Sequence, residues 1–305
     1  MSIRIGILRS VIQMKNLVTG NDKGAKNMSN CENCGSKDSC KSKGTTTCSV
    51  KVLPKYGNIK KVIGVISGKG GVGKSTITGI LATMLNKRGY KVGVLDADIT
   101  GPSMPRFFGI NEQRANVVTI DENTVKFEPI TTKSEIKVMS LNLITQVEDQ
   151  PVIWRGPIIT GVLNQMYVDT EWGDLDYLLI DMPPGTGDIA LTVMQDFPLE
   201  ELIIVSTPQS MVSMIVKKVV IMAEKMDVKI KGVVENMSYI ICDGCNKKLK
   251  VFSKKSAEEH ADYLGIPLIG ELPIDLEFTE ALEKGKAEQY IIDSPFYSLI
   301  FEGLY

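Results

Sequence analysis

The run Gly68-Lys69-Gly70-Gly71-Val72-Gly73-Lys74-Ser75-Thr76 has the spacing G-x-x-x-x-G-K-[ST], whose chemistry is the binding of nucleotide phosphates. Glycines let the backbone curl until its N–H groups face phosphate oxygens, and the N-terminus of a following helix adds partial positive charge at the same point. The Lys74 ammonium can then hold the β- and γ-phosphates while the Ser75 hydroxyl ligates Mg²⁺. The motif carries weight only between a strand and a helix, and here the apolar run VIGVI (62–66) precedes it and a helical repeat follows. Asp181 belongs to the same chemistry. It closes the apolar run YLLI and opens Pro-Pro-Gly-Thr-Gly-Asp, the position of a carboxylate that contacts Mg²⁺ ahead of a mobile loop. Asp96 and Asp98, in VLDADITGPS, end another apolar run.

Six cysteines form the second chemical group: Cys31, Cys34, Cys40 and Cys48 near the start, and Cys242-Asp-Gly-Cys245 further on. With no secretory signal, thiols in this number favour metal or redox chemistry over a disulfide framework. Cys242 and Cys245 offer two thiolates, whereas tetrahedral zinc or a [4Fe–4S] cluster takes four ligands, so one chain falls short. A two-fold dimer would bring two pairs together. A redox dithiol and a structural zinc turn are the competing readings of this pair. The following NKKLKVF favours a hairpin over the helix start that activates a redox thiol. Four N-terminal thiols within eighteen residues could hold a cluster or zinc unaided, or stay unliganded. The single histidine, His260, falls in SAEEHADYLG and is expected at the surface.

Both groups need a frame. Continuous apolar runs at 62–66, 92–95, 177–180, 202–206 and 228–234 alternate with helical patterns, which indicates a mostly parallel, doubly wound α/β sheet covered on both faces. Ile77, Ile80, Leu81, Met84 and Leu85 repeat at helical spacing until Gly89. Residues 111–150 read as β-rich excursions (VVTI, VKFEPI, IKVMSLNLI), suited to hairpin or edge strands. Residues 20–50 have almost no large apolar side chain, so residues 1–55 are expected to be a flexible tail and 56–305 the folded nucleotide-binding domain. An amphipathic pattern over residues 1–20 has no assigned function, and Met14 and Met28 are alternative starts.

The balance of 35 basic and 36 acidic residues leaves no net field for nucleic acid or acidic lipid. Neither a membrane-spanning apolar stretch nor a signal peptide is evident, which points to a cytoplasmic protein with no membrane and no nucleic-acid partner.

The octet KGGVGKST resembles the signature of the deviant Walker A ATPases. The resemblance implies that Lys69 reaches nucleotide phosphates across an ATP-dependent homodimer, that Asp98 orients attacking water in a first switch loop with Asp96 structural, and that Asn236 pairs with the purine. It also implies that Leu272-Pro273-Ile274-Asp275 packs beside the base. GPSMPRFFG (101–109), LLIDMPPGTGD (178–188) and VENMSYIICDGC (234–245) are similar to the Mrp/NBP35 (ApbC) branch over roughly residues 55–300. That branch implies an ATPase that binds a labile [4Fe–4S] cluster at the dimer interface and transfers it to apo iron–sulfur proteins. Cys31, Cys34 and Cys40 resemble the N-terminal motif of this branch, but its upstream cysteine is missing here and Cys48 is the candidate replacement. The alternative is a ParA/MinD-like positioning ATPase with a structural zinc site. The short, non-basic ending SPFYSLIFEGLY does not match the basic helix such a protein uses.

Overall fold

The computed structural model describes residues 51–99, 101–121, 124–145, 156–301 and 304–305. The first half of the fold runs through β1 (Tyr56–Ser67), α1 (Lys74–Lys87), β2 (Val92–Asp96), α2 (Met104–Phe107), β3 (Asn116–Thr119), β4 (Val125–Glu128), β5 (Ile130–Thr131), β6 (Lys137–Met139), α3 (Leu141–Ile144) and α4 (Gly156–Val168). The second half adds β7 (Glu171–Asp181), α5 (Asp188–Asp196), β8 (Glu201–Ser206), α6 (Ser210–Lys225), β9 (Lys229–Glu235), β10 (Tyr239–Ile241), β11 (Lys248–Lys250), α7 (Ala257–Leu264), β12 (Leu268–Glu271), α8 (Leu276–Glu283), α9 (Ala287–Asp293) and α10 (Pro295–Ile300).

Eight strands form one sheet in the order β12-β9-β8-β1-β7-β2-β6-β5, with every neighbouring pair parallel except β5–β6. The centre is apolar. Ile63, Val65 and Ile66 of β1, Leu178–Ile180 of β7 and Leu202–Val205 of β8 are excluded from solvent. Each such side chain contributes about 1.5–3 kcal/mol. Helix α1 lies on this layer with Ile77, Ile80, Leu81, Met84 and Leu85 inward. Its glycine, Gly79, is required by contact: a Cβ there would stand 2.2 Å from the Phe107 ring of α2. Helices α6 and α7 pack together, α6 over β8 and β9 and α7 against β12.

The apolar runs read from the sequence appear as β1, β2, β7, β8 and β9, with β1 and β7 extended at their N-terminal ends. The excursion divides into an antiparallel β3–β4 hairpin and the edge pair β5–β6. Its last segment differs from expectation: Leu141–Ile144 is a helical turn rather than strand, with Leu141 and Leu143 buried.

Parallel strands bring their C-terminal ends to one edge, where ligands bind in open α/β sheets. Ser67, Asp96, Asp181, Ser206, Glu235 and Glu271 each end a strand there. Register places Asp96 beside Asp181, and Glu235 beside both Ser206 and Glu271.

Candidate functional site

The loop from Gly68 to Gly73 leaves the end of β1 and enters α1 through Gly73 at φ 81°, ψ 27°, in the left-handed region. Only glycine is comfortable there, and a Cβ would also stand 2.2 Å from the Asn236 amide nitrogen. No side chain caps the helix N-terminus, so its first N–H groups face the loop's concavity. Ser67 Oγ donates to the Lys69 carbonyl at 2.9 Å and fixes the loop's entry.

Lys74 is buried, with Nζ 2.8 Å from Asp181 Oδ2 and 3.5 Å from Asp98 Oδ2. Ser75 Oγ donates to the same Asp181 oxygen at 2.6 Å, and Thr78 Oγ1 donates to Oδ1 at 2.8 Å. The sequence-predicted Lys74, Ser75, Asp181 and Asp98 therefore converge. A hydroxyl and a carboxylate this close form an all-oxygen donor pair of the kind Mg²⁺ prefers, so the residues fit that ion. Thr78 was missed from the motif. Its signal is its place one turn after Lys74, on the buried face of α1.

Asp96 supports this group from behind. It accepts from the N–H groups of Asp98, Ser103 and Met104 and from Ser140 Oγ, at 3.1–3.2 Å, and so ties the Asp98 segment to α2 and α3. Complete burial and the neighbouring Asp181 raise its carboxyl to about 8, against the pull of Lys74 and the Met104 N–H.

Lys69 is exposed and its Nζ donates to Gln209 Oε1 at 3.1 Å. Asn236 is buried, and its Nδ2 donates to the Val72 carbonyl at 3.0 Å, so it grips the phosphate loop. The Leu272–Asp275 segment lies alongside: the Ser238 N–H donates to Leu272 O, and Asp275 caps α8 through the Phe278 N–H at 2.9 Å.

Cys242 and Cys245 occupy the turn of the β10–β11 hairpin, as the NKKLKVF pattern indicated. The turn closes with Cys242 N–H to Lys247 O at 3.0 Å and Asn246 N–H to Cys242 O at 2.8 Å. Both thiols are free, Cys242 half-buried and Cys245 exposed. The N–H of Gly244, with the Cys245 thiol and N–H, holds the Cys242 thiol below its ordinary range and favours the thiolate that metals bind. Among the described residues, no group of three or more His, Cys, Asp or Glu side chains could hold a metal ion. Exposed Ile241, Leu249, Val251 and Phe252 flank the pair. Cys31, Cys34, Cys40 and Cys48 lie outside the described residues.

The family model described as "NUBPL iron-transfer P-loop NTPase" matches residues 58–299. The chain belongs to this family. Among curated relatives of this iron-transfer NTPase, an iron–sulfur cluster carrier protein of Clostridium perfringens is 67% identical over 285 residues, covering 91% of this chain and all of that one. A carrier protein of the same description from Methanocaldococcus jannaschii is 42% identical, over 84% of this chain and 87% of its own. Among solved structures, a nucleotide-binding protein from Archaeoglobus fulgidus in complex with ADP is 39% identical with a TM-score of 0.67, covering 80% of this chain and 92% of that one. The cell division ATPase MinD of Pyrococcus furiosus, 21% identical over 80% of this chain and 96% of its own, shares the fold at a TM-score of 0.53.

One expectation for this NTPase is corrected. His260 is buried, with Nδ1 against Glu235 Oε2. On α7 it shares the inward face with Ala257, Ala261 and Leu264, a set spaced i, i+3, i+4, i+7 from Ala257 with His260 at i+3. With Glu235, Ser238 and Glu271 it forms a polar cluster that sequence reasoning did not find, because its members come from β9, the segment after it, α7 and β12, which only the tertiary fold brings together. No helix among the described residues is long and apolar enough to cross a membrane.

Proposed function

We propose that this NTPase is a homodimeric, cytoplasmic carrier that binds and hydrolyses ATP, holds a labile [4Fe–4S] cluster between two Cys242/Cys245 pairs, and passes it to apo iron–sulfur proteins. The observation that carries this reading is the cysteine hairpin. Two free thiols stand at the exposed tip with no third metal-ligating partner among the described residues, so a second copy must complete a Cys₄ set. The exposed apolar side chains beside them suit burial against that copy. A cargo held by two thiolates per chain at a surface is also easier to release than one enclosed by four. The carrier names of the relatives point the same way.

For the nucleotide, the loop N–H groups and Lys74 take the phosphates, which requires Lys74 to exchange its contacts with Asp181 and Asp98 for phosphate oxygens. Ser75 and Asp181 would hold Mg²⁺, which when bound screens the phosphate charge. Asp98, so released, orients the attacking water. Lys69, free to leave Gln209 on the surface, reaches the partner's nucleotide. Asn236 and the Leu272–Asp275 segment flank the purine. Cys31, Cys34, Cys40 and Cys48 are proposed as a second thiol site, for a cluster or zinc.

The test is anaerobic reconstitution with iron and sulfide, comparing the chain with its Cys242→Ala/Cys245→Ala form and measuring metal content and charge-transfer absorbance. The expected result is a colour and about four irons per dimer that depend on this pair. Tightly held zinc with no colour would make the pair structural and remove the carrier reading.

A further inference from the structure

Five residues, Glu235–Tyr239, connect the nucleotide loop to the cysteine hairpin. At one end Asn236 holds Val72. Met237 follows in the left-handed region at φ 55°. At the other end Tyr239 opens β10, whose next residues lead to Cys242. Ser238 lies between them, almost fully buried.

We propose that Ser238 is a positioning residue that locks the cysteine hairpin to the nucleotide loop, so that nucleotide binding changes the metal affinity of the Cys242/Cys245 pair. This rests on the carrier reading above. Ser238 Oγ lies 2.7 Å from Glu235 Oε1 and 2.6 Å from Glu271 Oε1, and so bridges the ends of β9 and β12. His260 braces the other Glu235 oxygen from α7. The other Glu271 oxygen faces Lys248 Nζ of β11 at 3.4 Å, and the same ammonium lies 4.1 Å from the centre of the Tyr239 ring. Backbone bonds stitch the same span: Leu272 N–H to Glu235 O, Ser238 N–H to Leu272 O and Ile274 N–H to Tyr239 O, each 2.8 Å.

Every link from the Val72 carbonyl to β11 is thus a hydrogen bond, an ion pair or a covalent step. Through the hairpin's own ladder, Ile241 opposite Lys248, the link ends beside Cys242. A shift of the nucleotide loop pulls on Asn236, and a clamped Ser238 prevents the five-residue segment from absorbing the shift by local rearrangement. Coupling of this kind is reciprocal, so it can be read at either site.

The measurement uses full-length protein with Cys31, Cys34, Cys40 and Cys48 replaced by serine, reduced and anaerobic. Co²⁺ is titrated with and without saturating ADP and excess Mg²⁺, and the thiolate-to-cobalt absorbance reports on Cys242 and Cys245. We expect nucleotide to change the half-saturating Co²⁺ concentration at least about fivefold. Ser238→Ala should bring that ratio within about twofold of one while leaving ADP affinity itself within about twofold of the parent, and Ser238→Thr, which keeps the hydroxyl, should restore the ratio. Lys248→Met, a change on the exposed hairpin, cuts the same link at Glu271 and should also reduce it, which provides a second readout if Ser238→Ala does not fold. A ratio of one in the parent, or an unchanged ratio in Ser238→Ala or Lys248→Met, overturns the proposal and leaves the carrier reading intact. Absence of any thiolate band from Cys242 and Cys245 overturns both.

Discussion

Lys74 and Cys242 show how differently two residues proposed to carry the function can be bound into one fold. Lys74 sits against Asp181, which is wholly buried, and Asp98. Removing one partner of a buried ion pair leaves the other charge uncompensated, at a cost of about 3–5 kcal/mol. Lys74→Ala should therefore lower the unfolding free energy of the nucleotide-free protein, read from urea curves, by an amount of that order, abolish nucleotide hydrolysis and cluster transfer, and spare metal binding at the hairpin. A mutant with full transfer activity would contradict the role given to ATP. Cys242→Ala, at an exposed hairpin turn, should change stability by no more than about 0.5 kcal/mol and yet lose the metal. The phosphate loop, Asp181 and the cysteine pair were legible in the sequence because their chemistry depends on local spacing. Asn236 on Val72, and His260 on Glu235, depend on strand order, and a reading based on helix polarity alone placed His260 outside.

Among the elements, the link between β1 and α1 is the most constrained. At Gly73 a side chain meets two obstacles at once: a left-handed backbone and the Asn236 amide. Left-handed backbone alone costs an L-residue about 1–2 kcal/mol. Gly73→Ala is expected to destabilise the protein by at least that much and to weaken ADP binding, since the loop can accept the methyl group only by moving Asn236. Isothermal titration with ADP and a denaturant curve on the same variant separate the two effects. The apolar runs announced their strands because a parallel strand buried on both faces leaves no room for alternation. Leu141–Ile144 escaped for the same reason in reverse: a short apolar run is compatible with a strand or a buried helical turn, and here packing chose the turn.

On the scale of the whole molecule, a parallel sheet gathers strand ends, and gathering carboxylates has an electrostatic consequence. Asp96 and Asp181 are register neighbours, both wholly buried. Burial and that neighbour raise the Asp96 carboxyl to about 8, whereas in the unfolded chain it returns to about 4. Between those values the folded protein binds more protons than the unfolded one. Its stability contribution is therefore full below about pH 4 and is lost as pH rises through about 8. Burial raises Glu288 too, with the same sign. Asp176, Glu201 and Glu258 are lowered from the usual carboxylate range, so their stabilisation fades only in acid below this window. The nucleotide-free protein should accordingly show a melting temperature that falls as pH is raised from about 5 to about 8 and then levels. Asp96→Asn should flatten that slope whatever it does to stability at a single pH. A wild-type melting temperature that climbs across the window would mean that Asp96 is ionised throughout, held by Lys74 and its four hydrogen-bond donors.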